Sequence, residues 1–172
     1  MDAAALRTLQ APLKDRYRAE PEAAVITLKA EGTLDDQHIA CKVETGRALA
    51  VAGLHPATGG SGAELCSGDM LLEALVACAG VTLKAVATAL EIPLRHGAVK
   101  AEGDLDFRGT LGVDREAPVG FRSIRLRFDL DTDASEEDLA TLTRLTERYC
   151  VVLQTLARPP ELSVGTTGST GA

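Results

Sequence analysis

Residues 71–90 read LLEALVACAGVTLKAVATAL. How this run is read decides the fold. The wider stretch from Met70 to Leu83 is apolar, but it contains Glu73 and Thr82, and Lys84 closes it. It is shorter than the ~20 residues that a bilayer core demands. It therefore reads as a buried helix of a soluble domain. Ser67 is placed to cap that helix, and Asp69 falls in its first turn, where the helix dipole favours a negative charge. Ile92-Pro93 stops it just after Leu90. Its early part is apolar all round, which marks a central helix rather than a surface one. One thiol, Cys78, sits midway along it.

The segments around this helix alternate. Residues 23–32, AAVITLKAEG, read as a strand. Residues 37–53 read as two strands around a tight turn at Thr45-Gly46, where Gly supplies a positive φ. The glycine-rich stretch 55–69, HPATGGSGAELCSGD, is a loop. Residues 97–109 form a further strand. Residues 120–133, GFRSIRLRFDLDTD, form the clearest one, with Arg122, Ile124, Leu126, Phe128 and Leu130 on its core side. A second long helix then opens at Ser135, with Asp138 completing a capping box, and runs through Cys150 until Pro159-Pro160 ends it. A short strand at 161–164 closes the fold. The fold class is α+β. Residues 1–22 read as an N-terminal helical extension, interrupted at Pro12 and ended by Pro21. Residues 23–164 form the main domain, and 165–172, GTTGSTGA, a flexible tail.

Composition narrows the function. The chain has 172 residues, a formal net charge of −7, 3% aromatics and no Trp. A chain this acidic and poor in rings offers neither the basic stripe nor the stacking platform of nucleic-acid binding. The same charge disfavours anionic membrane surfaces. The N-terminus lacks the charged-then-apolar pattern of a signal peptide, so a cytoplasmic protein is expected. A domain of this length buries roughly 70% of its chain surface and needs no staples.

The chemistry-bearing residues are few. The cysteines are Cys41, Cys66, Cys78 and Cys150, with no C-x-x-C pair and only three histidines, His38, His55 and His96. Zinc-site spacing is absent, and no cofactor is implied. Free cysteine is among the most buried residue types, so each thiol alone reads first as packing. Cys41 alternates within a strand and reads as packing. Cys66 and His55 share the loop before the central helix, and they are too few ligands for a metal. A mid-helix thiol gains nothing from its own helix dipole, and apolar burial raises its pKa. A nearby cation is needed if a thiolate is to form. Arg47, Arg144 and Arg148 are the candidates.

The stretch GGSGAELCSGDMLLEALVACAGVTLKAVA resembles the first-cysteine motif of the OsmC/Ohr family, the osmotically inducible and organic hydroperoxide resistance proteins. ERYCVVLQTLARPPELSV resembles its second motif. The resemblance spans roughly residues 23–164 and implies curved antiparallel sheets wrapping two central helices in an intertwined homodimer. It also implies reduction of organic hydroperoxides by two cysteines. Cys78 attacks and becomes a sulfenic acid, Cys150 condenses with it to a disulfide, and an external dithiol resets the pair.

The match departs from the family in places. The Glu found ten residues before the first cysteine in the organic hydroperoxide resistance branch is Gly68 here, with Asp69 beside it, and the Pro after the second cysteine is Val151. These departures keep a second reading open: a dimeric binder of small hydrophobic molecules, or an oxidant sensor, on the same scaffold. Asp69 is expected to cap the helix or to pair with an Arg from another direction, across the dimer.

Overall fold

In a computed structural model of the chain, the described residues are 3–34, 41–43, 52–63 and 65–166. An N-terminal helix α1 (Ala3–Ala19) leads through a 3-10 turn (Pro21–Ala24) into β1 (Val25–Leu34). Strands β2 (Cys41–Val43) and β3 (Ala52–Gly53) follow, then β4 (Leu65–Cys66) and the long helix α2 (Ser67–Ala89). The chain continues with β5 (His96–Asp106), a single helical turn α3 (Phe107–Thr110), β6 (Phe121–Asp131), α4 (Glu136–Tyr149) and α5 (Val151–Ala157).

The main sheet is antiparallel, in the order β2-β1-β5-β6. Its outer face is polar. Asp104 accepts from Thr27 Oγ1 at 2.7 Å, Ser123 Oγ at 2.6 Å and Arg125 Nη1 at 2.6 Å. Its inner face alternates regularly, and Gly97, Val99, Ala101, Gly103 and Leu105 of β5 are all buried. Helix α2 lies against β1 and β5, and α4 and α5 pack on α2. Leu72, Leu75, Val76, Ala79, Gly80, Leu83 and Ala87 form the buried side of α2. At 23 residues and a mean hydropathy of 1.8 over its most apolar window, α2 is long enough to cross a bilayer. Length therefore does not exclude a span, contrary to the shorter run read from sequence. Its seat on the sheet identifies it as a core helix.

Several expectations need correction. The N-cap of α2 is Cys66 rather than Ser67, and it makes no side-chain cap bond. Pro12 does not interrupt α1, which continues through it; a mid-helix Pro removes one backbone bond and clashes with the preceding turn, and seventeen residues absorb that. On β6, Ile124, Leu126, Phe128 and Leu130 pack on the core as expected, but Arg122 is exposed and Phe121 turns inward. The cause is a register shift between Asp104 and Leu105, where Leu105 pairs with Phe121 and Asp104 with Ser123. A bulge reverses the face of every residue beyond it. Phe121 then lies so close to Gly103 that a Cβ there would sit 2.4 Å from its ring. Residues 161–164 are not a strand, and Leu162 and Val164 are 82% and 97% exposed. Strand β3 pairs in parallel with β4. The expected turn at Thr45-Gly46 lies outside the described residues.

The end of β5 holds one buried charge. Asp106 is 1% exposed and caps α3, accepting from the Arg108 amide at 3.1 Å and from Arg108 Nη2 at 2.7 Å. The Arg108 guanidinium holds its carboxyl below the usual range, against the opposing effect of burial. A depressed folded pKa contributes stability above the unfolded value, and that contribution is lost as pH falls through the folded one. Wild-type stability is therefore expected to decline below about pH 4. Asp106→Ala is expected to cost about 1–3 kcal/mol at pH 7 and to flatten part of that acid slope. Urea melts at pH 7 and pH 3 check both.

Candidate functional site

Helix α2 carries Cys78 on a partly buried position packed against the core. The chain returns to it at the end of α4. The expected single helix does not run through Cys150. It stops at Tyr149 and restarts at Val151, because Cys150 is extended, with φ −71° and ψ 105°. Cys150 is thus the C-cap of α4 and the N-cap of α5, and it is fully buried. Its amide donates to Thr146 O at 2.9 Å. The break turns the Cys150 thiol towards α2, close enough to Cys78 for that thiol to raise its pKa. Both thiols are free, as is Cys66.

Burial pushes the Cys150 thiol up to about 11. The Leu153 and Val152 amides at the start of α5 pull it down, and the neighbouring Cys78 pushes it further up. Cys150 is therefore a protonated thiol at neutral pH. No Arg or Lys of the described residues figures among these influences. Arg144 and Arg148 lie on the exposed side of α4, and Arg148 stacks over the Tyr149 ring, 5.5 Å from its centroid. Neither is brought to the thiols within this chain. Arg47 lies outside the described residues, and the Cys41 side chain is likewise not described.

Among the described residues Asp69 makes no cap bond, and the pairing with an Arg expected across a dimer would involve a second subunit. His55 is the charge that acts on Asp69, and Asp69 in turn acts on Glu73. Burial raises the pKa of both carboxyls, and His55 opposes the shift at Asp69. Burial lowers that of His55, whose ring is stacked on Phe107 with centroids 5.0 Å apart. His55 Nδ1 accepts from the Ala57 amide at 3.0 Å, so the neutral ring carries its proton on Nε2. The peptide stretch is held from above as well. Tyr17, 2% exposed, donates its hydroxyl to Ala57 O at 2.7 Å, and Gln10 Nε2 donates to Thr58 O at 3.3 Å.

Among the clefts that flank the helices, two have largely apolar walls. One of about 510 Å³ lies between β6 and the α4–α5 pair, with Ile124, Leu126, Phe128, Leu153 and Leu156 in its wall. The other, about 420 Å³, opens at the start of α2 beside His55 and Cys66. The thiol pair lines neither. Sequence reading passed over Glu73, Tyr17, Phe107 and Thr146. Glu73 alone carried a signal, as a charge one helical turn from Asp69 inside an apolar run.

Thr146 sits one turn before Cys150, fully buried, and its hydroxyl has no hydrogen-bond partner among the described residues. A buried unpaired hydroxyl is destabilising. Thr146→Val is expected to hold or raise stability by up to ~1 kcal/mol. A loss of more than that in thermal melts would mean that the hydroxyl is satisfied in solution.

A family model described as OsmC-like protein matches residues 60–165, which include Cys66, Cys78 and Cys150. An OsmC-like hydroperoxide resistance protein from Jannaschia sp. CCS1 is similar in structure, with a TM-score of 0.58 and 17% identity over 84% of this chain and 97% of its own. An OsmC-like protein from Mycoplasma pneumoniae is similar with a TM-score of 0.54 and 16% identity, over 78% and 86%. No curated protein matches the chain. At these identities the structures speak for the fold, while the family match covers more than half of the sequence. The chain belongs to the OsmC-like protein family.

Proposed function

We propose that this protein reduces organic hydroperoxides with Cys78 and Cys150. The observation that carries the reading is the meeting of these thiols at the break between α4 and α5. Family membership and the hydroperoxide resistance protein among its structural relatives support a peroxide-related role.

The Cys78 sulfur, as thiolate, attacks the distal peroxide oxygen. An S–O bond forms, the O–O bond breaks, and the leaving alkoxide takes a proton to become an alcohol. Cys78 is now a sulfenic acid. Cys150 then attacks that sulfur. The S–S bond forms, the S–O bond breaks, and the oxygen leaves as water with the Cys150 proton. An external dithiol restores both thiols by exchange. The high pKa of Cys150 suits this order: it keeps its proton during the first step and acts only once Cys78 is electrophilic. The cation that the first step needs comes from Arg47 or from a second subunit.

A homodimer in the cytoplasm is part of this proposal. Leu71 and Val81 on α2 and Leu90 at its C-cap are 36–40% exposed in the single chain, and Tyr149 and Val151 at the thiol-bearing break are 57% and 70% exposed. A second copy would cover them. Sedimentation at micromolar concentration is expected to give a dimer, and a stable monomer would remove this part of the proposal.

The second reading, a binder of small hydrophobic molecules without turnover, is favoured by the two apolar-walled clefts that the thiols do not line. Turnover separates the readings. With cumene hydroperoxide and dithiothreitol, Cys78→Ser is expected to lower activity at least ~100-fold, the scale of a lost nucleophile. Cys150→Ser is expected to stop multiple turnovers with a dithiol donor while one sulfenic acid accumulates at Cys78. Full activity in Cys78→Ser, or wild-type thiols that stay reduced under peroxide, would leave the binding reading.

A further inference from the structure

We propose that Thr146 is a positioning residue of the second chemical step: its hydroxyl donates a hydrogen bond to the Cys150 sulfur as that sulfur attacks the oxidised Cys78. This rests on the two-cysteine reading above and adds a third side chain to it.

The observation is an unpaired polar group that folding does not require. Thr146 is fully buried, and its Oγ1 has no partner among the described residues. Native chains leave few such groups, and a redox or catalytic role is one of the reasons for keeping one. A structural remedy is at hand. A helical Thr can turn its hydroxyl onto the carbonyl one turn before it. Thr88 does so, donating to Lys84 O at 2.8 Å, and Thr155 does so, donating to Val151 O at 2.8 Å. Both of these are exposed, where water would serve as well. Thr146 is the buried one, and it does not make the equivalent bond to Leu142 O. Its oxygen is turned off its own helix.

The backbone at the break places Cys150 beside it. Cys150 departs from the helix in ψ. Its φ of −71° is still helical, and its amide still donates to Thr146 O at 2.9 Å. Those two constraints fix Cβ, so the Cys150 side chain stands one turn beyond Thr146 on the same face of α4. Neighbours at this spacing have Cβ atoms roughly 5–6 Å apart. Both residues are 0% exposed, and Leu142, one turn further back, continues the buried side of α4, which packs on α2.

The second step gives this pair a use. Cys150 must lose its proton while buried, and burial is what opposes that loss. As the S–S bond forms, the S–O bond of the sulfenic acid breaks, and the Cys150 proton leaves with that oxygen as water. Negative charge develops on the Cys150 sulfur on the way. Donors already aimed at a developing charge stabilise it without reorganisation. The Leu153 and Val152 amides reach the sulfur from the α5 side. A turn of Thr146 about χ1 brings its hydroxyl in from the α4 side. In the reduced protein the sulfur keeps its hydrogen and needs no donor, so the hydroxyl stands unpaired.

The test is a single turnover with cumene hydroperoxide and no dithiol. Sulfenic acid is trapped with dimedone at successive times, and the disulfide is read by mass spectrometry. In Thr146→Val, sulfenic acid is expected to build up at Cys78, and the disulfide to form about tenfold more slowly than in wild type, the scale of one hydrogen bond to a charged atom. Thr146→Ser is expected to restore most of the rate, which a mere loss of shape would not allow, since Ser is the smaller residue. If Thr146→Val fails to fold, Thr146→Ala carries the same expectations. The inference is overturned if the disulfide forms as fast in the Val variant as in wild type, or if the Ser variant is as slow as the Val variant. Either result leaves the two-cysteine reading standing. If wild type under peroxide forms no disulfide between Cys78 and Cys150, that reading falls and this inference falls with it.

Discussion

The structure depends on seating one side of α2 against the inner face of the sheet. Leu72, Leu75, Val76, Ala79, Leu83 and Ala87 are 0–1% exposed. Complete burial of a Leu or Val side chain contributes roughly 1.5–3 kcal/mol, so the six together outweigh any single polar interaction among the described residues. The sheet accommodates the helix by offering little bulk. Its central strand presents Gly97, Val99, Ala101 and Gly103 inward. With α2 fixed on this surface, the position of Cys78 is fixed, and α4 and α5 have only the remaining side of α2 to cover. The break at Cys150 follows from that geometry. A straight helix from Glu136 to Ala157 would carry its C-terminal turns past α2, whereas the kink returns Leu153 and Leu156 to the core.

The sequence made much of this legible, and the failures share a cause. Hydrophobic period placed α2, β1, β5, β6 and the Ser135 cap of α4 within a few residues, because these depend on neighbours along the chain. The Ser135 hydroxyl does accept the Asp138 amide, at 3.1 Å. The features that escaped depend on contacts distant in sequence. Strict alternation put Phe121 outside and Arg122 inside. Only the pairing of β5 with β6 reveals the slip that exchanges them. The halt at Cys150 carries no proline or glycine to announce it. The motif resemblance marked Cys78 and Cys150 as a pair, but periodicity alone gave no reason to bring them together. Tyr17 was passed over because its partner, Ala57, is forty residues away and is recognised through a backbone carbonyl.

The thiol pair poses an electrostatic problem that the single chain leaves half solved. Burial protects a sulfenic acid from water and suits an alkyl peroxide, but it also favours the neutral thiol. The structure assigns the cost unequally. Cys150 takes the full burial and keeps its proton, while Cys78 sits at the partly buried edge of the same contact. A thiolate needs a positive group beside it. A guanidinium would supply it, and the arginines of α4 face away. The exposed apolar residues beside the break, Tyr149 and Val151, adjoin the surface where a second subunit would have to supply or enclose that charge.

The N-terminal helix bears on this division of labour. It lies outside the stretch matched by the family model, yet Tyr17 is 2% exposed and Leu13 packs on the core, so it is integral to the fold. Its polar contacts go to the loop that presents His55, through Ala57 and Thr58. A helix added for packing alone would have no need to place a buried hydroxyl on a loop carbonyl, since an unmatched polar group there is costly. The Tyr17 bond is made at 2.7 Å, on the residue whose amide also holds the imidazole. The matched region thus supplies the two cysteines, α2 and strands β5 and β6, while the added helix holds the loop that leads into the start of α2.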